Sequence, residues 1–231
     1  MTAVEHVHAD LDALANACAD RIAGQVERAL AERGEAVLVL AGGRTSVPTF
    51  RRLAAMPIDW RRVVAVPSDE RWVGIEHRDS NLGALEAAFA GTGLVTVALA
   101  PTAPSGPVSA SLANHALAQM PLAFDAVLLG MGADGHFASL FPGASVLAFA
   151  LDPASPVDAV ALVPEPMPAS GPHPRVSLTL SRLLRSRAVL LAITGADKRA
   201  TLECARHNPA TYPVGALLDA PDARVEIHWS P

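Results

Sequence analysis

The stretch FDAVLLGMGADGHFASLFPG, residues 124–143, sets an apolar, strand-like run directly before Gly130-x-Gly132-x-x-Gly135, the spacing by which dinucleotide-binding folds admit a pyrophosphate. A dinucleotide loop has to open into a helix, because its third glycine packs helix against strand and the helix N-terminus faces the pyrophosphate. Here only six residues separate Gly135 from Pro142-Gly143. That is less than two helical turns before a strong stop signal. The loop also carries Asp134 and His136, where a dinucleotide site presents bare backbone. It reads as a reactive loop at the end of a strand.

The same grammar extends in both directions. From Leu11, the apolar positions Leu14, Cys18, Ile22, Val26 and Leu30 recur at helical spacing and predict one helix to about Glu32. AVLVLA (36–41), VVAVP (63–67), VTVALA (95–100), VDAVALV (157–163), AVLLAIT (188–194) and RVEIHW (224–229) read as further strands. Helical patterns lie between most of them, including NLGALEAAF (81–89), SASLANHALAQM (109–120) and DKRATLECARH (197–207). Continuous apolar strands alternating with helices predict an α/β fold, with a mostly parallel sheet covered by helices on both faces. A chain of 231 residues suffices for one well-buried core, so a single domain over 1–231 is expected. Two Pro-rich stretches, 100–107 and 152–174, are flanked by strands that need partners and read as rigid connections inside that domain.

Composition narrows the function. The net charge of −5, with no basic run, argues against a nucleic-acid partner, so any anion site must be local. The start MTAVEHVHAD lacks a signal-peptide pattern and no long apolar stretch follows, which predicts a soluble cytoplasmic protein without a membrane partner. Cys18 and Cys204 sit in Ala-rich helical patterns and are expected to be packed thiols. Among the eight histidines only His6 and His8 lie two apart, and no His-Glu-x-x-His occurs. No metal is expected.

In a parallel sheet, ligands collect beyond the carboxyl ends of the strands. The polar residues of this chain cluster there: GGRTS (42–46), SDERWV (68–73), the 130–143 loop and GADK (195–198) each follow a strand. They describe a mouth for a small, polar, anionic ligand. Gly42, Gly43 and Thr45 can turn backbone N–H groups and a helix end toward a phosphate. Lys198 is the single lysine beside seventeen arginines, which suits a place needing a compact ammonium. If 69–71 is extended, Asp69 and Arg71 share a side and Glu70 faces away, so that one carboxylate can order the arginine and the other reach a ligand. In RDSN (78–81), Asp79 or Ser80 is read as a helix cap. His136 is the candidate acid–base, oriented by Asp134 two residues earlier, with the loop's glycine N–H groups available to an oxyanion. Ser139 lacks a nucleophile elbow, which leaves water as the attacker.

GGRT, SDERWV with RDSN, GMGADGHFASLFPG, PRVSLTL (174–180) and GADKRATL (195–202) together resemble the 6-phosphogluconolactonase family, in the family's order. The resemblance implies its Rossmann-like sugar-phosphate isomerase/lactonase fold. It implies hydrolysis of 6-phospho-D-glucono-1,5-lactone to 6-phosphogluconate, in the oxidative pentose phosphate pathway and without a cofactor. It makes His136 the base that activates water and gives the phosphate to Gly43, Thr45, Arg71, Arg175 and Lys198. The expected partner is the small sugar-phosphate lactone, and the expected state a monomer or weak homo-oligomer. Arg44 and Ser46 depart from the family's usual GGSTP, and Phe137 stands where threonine is common. A related family that deaminates glucosamine 6-phosphate carries Asn-Glu-Pro after the loop, where this chain has Leu140-Phe141-Pro142; Phe141 cannot transfer a proton. A sugar-phosphate-binding regulator that has lost the chemistry is the other alternative.

Overall fold

The first predicted helix forms as α1 (Leu11–Arg33), with Leu14, Cys18, Ile22 and Val26 on its buried stripe. Asp10 caps its start by accepting from the Ala13 N–H at 2.8 Å, and Gly34 ends it in the left-handed conformation, φ 83°. The computed structural model describes residues 3–168, 171–220 and 225–231. Its strands are β1 (Val4–Val7), β2 (Ala36–Leu40), β3 (Val63–Pro67), β4 (Asp69–Arg71), β5 (Val95–Thr96), β6 (Ala126–Gly130), β7 (Ala159–Leu162), β8 (Arg175–Leu178), β9 (Val189–Thr194) and β10 (Val225–Ser230). The remaining helices are α2 (Ser46–Ala54), α3 (Asn81–Ala88), α4 (Ser111–Ala118), α5 (Leu147–Ala150), α6 (Leu180–Leu184), α7 (Ala196–His207) and α8 (Pro213–Asp219).

Seven strands form a parallel sheet in the order β1-β10-β9-β6-β2-β3-β5. The chain winds outward from β2 through β3 to β5, then crosses back to lay β6 on the other side of β2. The crevice between β2 and β6 is therefore the switch point where an open α/β sheet takes its ligand. Alternate residues of β2, β3, β6 and β9 feed two cores. Leu38, Ala126, Leu128, Leu190 and Ala192 pack under α1, α2 and α3, together with Phe50, Trp60 and Phe89. Val37, Val39, Val127, Leu129, Leu191 and Ile193 face α4, α7 and α8 on the other side.

Several expectations change. The strand at 157–163 does not join the parallel sheet: β7 pairs antiparallel with β8, and β8 with β4, in a separate three-stranded sheet. Its apolar residues Ala159, Leu162, Val176 and Leu178 close the second core, so that face is shared between helices and a small sheet. VTVALA shortens to Val95–Thr96, an edge pairing with β3 that ends as the Pro-rich stretch begins. Phe124 keeps only an isolated bridge to Ser186 before β6 starts at Ala126. Arg224 of the last predicted strand, and residues 169–170 of the second Pro-rich stretch, lie outside the described residues. Cys18 is buried as expected, but Cys204 is exposed, because it falls on the outward face of α7 opposite Leu202 and Ala205. Among the described residues, no helix is long and apolar enough to cross a membrane.

Candidate active site

The strands that carry the four polar ends, β9, β6, β2 and β3, are consecutive in the sheet. Their loops converge on a cavity of about 450 Å³ lined by Gly42, Gly43, Thr45, Asp69, Arg71, His136, Arg175 and Lys198. Arg44 also lines it, so four cations share one small cavity in a chain of net charge −5. Asp134 stands behind the imidazole.

The 130–143 loop does not open into a helix; the next one is α5, which begins only at Leu147. Instead the loop folds on itself, with the Gly132 N–H donating to the His136 carbonyl at 2.9 Å and the Gly135 N–H to the Gly132 carbonyl at 3.1 Å. Those N–H groups are spent on the turn, so the expected glycine oxyanion donors at 132 and 135 are not available. The fold of the loop sets His136 Nδ1 2.5 Å from Asp134 Oδ1. A carboxylate at Nδ1 selects the tautomer with the proton there and leaves Nε2 as the base. Burial works to raise the Asp134 carboxyl, but the hydrogen bonds and charge of His136 outweigh it and hold the group below the ordinary carboxylate range. Gly132 is required by this arrangement: a Cβ there would run into the His136 ring and the Asp134 carboxylate. The His136 side chain stays 28% exposed and leans on the Phe141 ring, with centroids 4.3 Å apart.

β4 divides its residues as predicted. Asp69 and Arg71 face the cavity, and Glu70 turns away to accept from the backbone N–H groups of Arg71, Asn81 and Leu82 and from Ser80 Oγ, at 2.7–3.1 Å. Burial pushes the Glu70 carboxyl up, and those backbone bonds partly offset it. Asp69, only 6% exposed, accepts from Ser68 Oγ at 2.9 Å and Ser139 Oγ at 2.5 Å and lies 3.7 Å from Arg175 Nη1. Asp69 thus orders an arginine, but Arg175 of β8 and not its own neighbour Arg71. Ser139 is fully buried with its hydroxyl committed to Asp69, which removes it as a nucleophile.

Arg71 donates from Nη1 to the Asp79 carbonyl at 2.5 Å, while its Nε is buried without a partner among the described residues. Arg175 donates from Nη2 to the Gly171 carbonyl at 2.6 Å and lies over the Phe141 ring. Burial pulls its guanidinium below the ordinary range against the upward pull of Asp69. Lys198, in the first turn of α7, is held below the usual lysine range by burial and by the nearby Arg44 charge. Neither Arg44 nor Lys198 forms an ion pair among the described residues. Gly43, φ 104°, makes the turn into α2 that only glycine takes without strain, and its carbonyl accepts from the Ser46 N–H at 3.1 Å.

Ser80, not Asp79, caps α3, accepting from the Gly83 N–H; Asp79 instead pairs with His173 Nε2 at 3.0 Å. Three lining residues take contacts that the sequence reading did not assign to them. Asn81 donates from Nδ2 to the Asp69 carbonyl at 2.7 Å, Ser46 lines the cavity with a hydroxyl that has no partner among the described residues, and Phe141 packs against both His136 and Arg175. Asn81 left a trace only as the last residue of RDSN, Ser46 only as the end of GGRTS, and Phe141 only as a side chain that cannot transfer a proton. Phe137 goes wholly into the second core.

The family described as glucosamine-6-phosphate isomerases/6-phosphogluconolactonase matches residues 9–229. A 6-phosphogluconolactonase of Pseudomonas aeruginosa is 40% identical over 230 residues, covering 94% of this chain and 90% of that protein. One from Mesorhizobium japonicum is 40% identical over 225 residues, covering 96% and 93%. The crystal structure of a 6-phosphogluconolactonase from Shewanella baltica superposes with a TM-score of 0.89 at 30% identity, over 99% of this chain and 98% of that one.

Proposed function

The chain belongs to the glucosamine-6-phosphate isomerase/6-phosphogluconolactonase family, and from that premise we propose that it hydrolyses 6-phospho-D-glucono-1,5-lactone to 6-phosphogluconate, the lactone-opening step of the oxidative pentose phosphate pathway, with His136 as general base. The observation that carries this reading is an imidazole fixed by a carboxylate in the same cavity as four cations. His136 Nε2 takes a proton from water as the oxygen adds to the lactone carbonyl carbon. The tetrahedral alkoxide then collapses, the bond from that carbon to the ring oxygen breaks, and the imidazolium returns its proton to the departing oxygen. The product acid ionises in solvent. Asp134 steadies the imidazolium, and the cavity cations favour both the phosphate and the developing oxyanion. Arg71, Arg175 and Lys198 hold the phosphate with the Gly43–Thr45 turn, and Asp69 meets the sugar hydroxyls. We also place the enzyme in the cytoplasm, as a monomer or weak homo-oligomer.

Deamination of glucosamine 6-phosphate is disfavoured because Phe141, which has no proton to give, packs against His136. Substituting His136→Ala is expected to lower turnover of freshly made lactone by about 10²–10⁴, the usual range for losing a general base. Opening no faster than the spontaneous rate in the unsubstituted protein would leave a sugar-phosphate-binding regulator. Release of ammonia from glucosamine 6-phosphate would point to the deaminase instead.

A further inference from the structure

β1 and β10 run parallel at the edge of the main sheet, in a register that sets His6 beside His228 and Val4 beside Glu226. Ile227 and Val225 point into the second core, so strand alternation turns Glu226 and His228 to the α1 side. There Arg21 of α1 grips Glu226 at 2.7–3.0 Å. The His6 and His228 rings stack with centroids 4.7 Å apart, and one ligand atom from each of His6, Glu226 and His228 lies within 4.8 Å of the other two.

His228 is 3% exposed, and its Nε2 has no hydrogen-bond partner among the described residues. Its other nitrogen, Nδ1, lies 3.0 Å from His8 Nε2. With His8 accepting, His228 carries its proton on Nδ1, and the buried Nε2 keeps an unused lone pair. We propose that His6, Glu226 and His228 form a zinc-type divalent-cation site that ties edge strand β1 to β10, with His8 orienting His228 and Arg21 orienting Glu226.

The donor set decides the class of ion. Two imidazole nitrogens and one carboxylate oxygen suit Zn²⁺ and its transition-metal neighbours, whereas Ca²⁺ and Mg²⁺ want oxygen throughout. A metal-bound histidine ordinarily gives its second N–H to an acceptor, and a ligating carboxylate is itself hydrogen-bonded; His8 and Arg21 stand in those two places. The guanidinium charge works against a dication and weakens the site. Its shortest contact goes to Glu226 Oε1, which leaves Oε2 the freer oxygen. The fourth position falls to water. No local spacing announces such a site, because His6 and His228 meet only through strand register.

The test is titration of the chelator-stripped, full-length protein with Zn²⁺ alone, read by calorimetry and by thermal midpoint, with Co²⁺ absorption as a second probe. One Zn²⁺ equivalent is expected to raise the midpoint and to disappear in His6→Ala, while His8→Ala weakens it about 10–100-fold. Far-UV circular dichroism checks that each variant folds. His6 is half-buried on an edge strand, so His6→Ala carries the test even where His228→Gln does not fold. His173→Ala serves as the control for the other grouping of possible ligands, His77, Asp79 and His173, and is expected to leave this equivalent in place. Absence of zinc binding, a stoichiometry unchanged by His6→Ala, or equal binding of Ca²⁺ would each overturn the proposal.

Discussion

His136 takes its pose from residues that carry no chemistry. Gly132 leaves room for the imidazole and the Asp134 carboxylate at once, and Phe141 supports the ring from beneath. Gly132→Ala is therefore expected to cost about 10²-fold in turnover, the scale of an ångström-sized misplacement, with the thermal midpoint little changed. A variant of undiminished kcat would show that the dyad tolerates displacement. Lys198 offers a second test, through pH. Its ammonium loses its proton at lower pH than an ordinary lysine, because it is desolvated and faces Arg44. Affinity for 6-phosphogluconate should accordingly fall as pH rises through that lowered value. Arg44→Ser removes one like charge, and calorimetric titrations from pH 7 to 10 should place the alkaline fall at higher pH, with weaker binding at neutrality. An alkaline limb that stays where it was would detach Lys198 from the phosphate. Asp134 and His136 were legible in the sequence because they lie two residues apart on one loop. Phe141 was legible only as something that cannot transfer a proton, since its contacts depend on where the loop comes to rest.

β4 has only three residues, yet it serves the cavity and the core together. Strand alternation sends Asp69 and Arg71 one way and Glu70 the other, where its carboxylate gathers the buried N–H groups at the start of α3 that the helix leaves without a partner. Glu70→Ala leaves those buried donors unpaired. Unfolding in urea should show a loss of about 2–4 kcal/mol with the slope unchanged, placing the effect in the folded state. A loss under half a kcal/mol would mean that water replaces the carboxylate. The alternation was readable in SDERWV, but the partner strand was not: β8 supplies Arg175, the arginine that Asp69 holds. An antiparallel pairing between segments about a hundred residues apart leaves no periodic signal in either one, so β4 and β8 were not read as strands of a sheet and the strand at 157–163 was assigned to the large one.

The two cores lie on opposite faces of one seven-stranded sheet, and β2, β3, β6 and β9 contribute to both. We therefore expect a single cooperative transition, with tryptophan fluorescence and far-UV circular dichroism coinciding in urea; Trp60 reports one face and Trp72 and Trp229 the other. Two separated transitions would divide the chain into more than one folding unit. Composition and periodicity were enough to establish parallel strands alternating with helices, to exclude a dinucleotide loop at 130–143, and to gather the polar residues at four strand ends, because each of these is written within a few consecutive residues. Strand order is not written that way. Crossovers made β9, β6, β2 and β3 neighbours and so turned four separate loops into one cavity, and register brought His6 against His228 from opposite ends of the chain. Hydrogen bonding between strands and the burial of both sheet faces choose those neighbours, and both are properties of the assembled sheet, absent from any single segment.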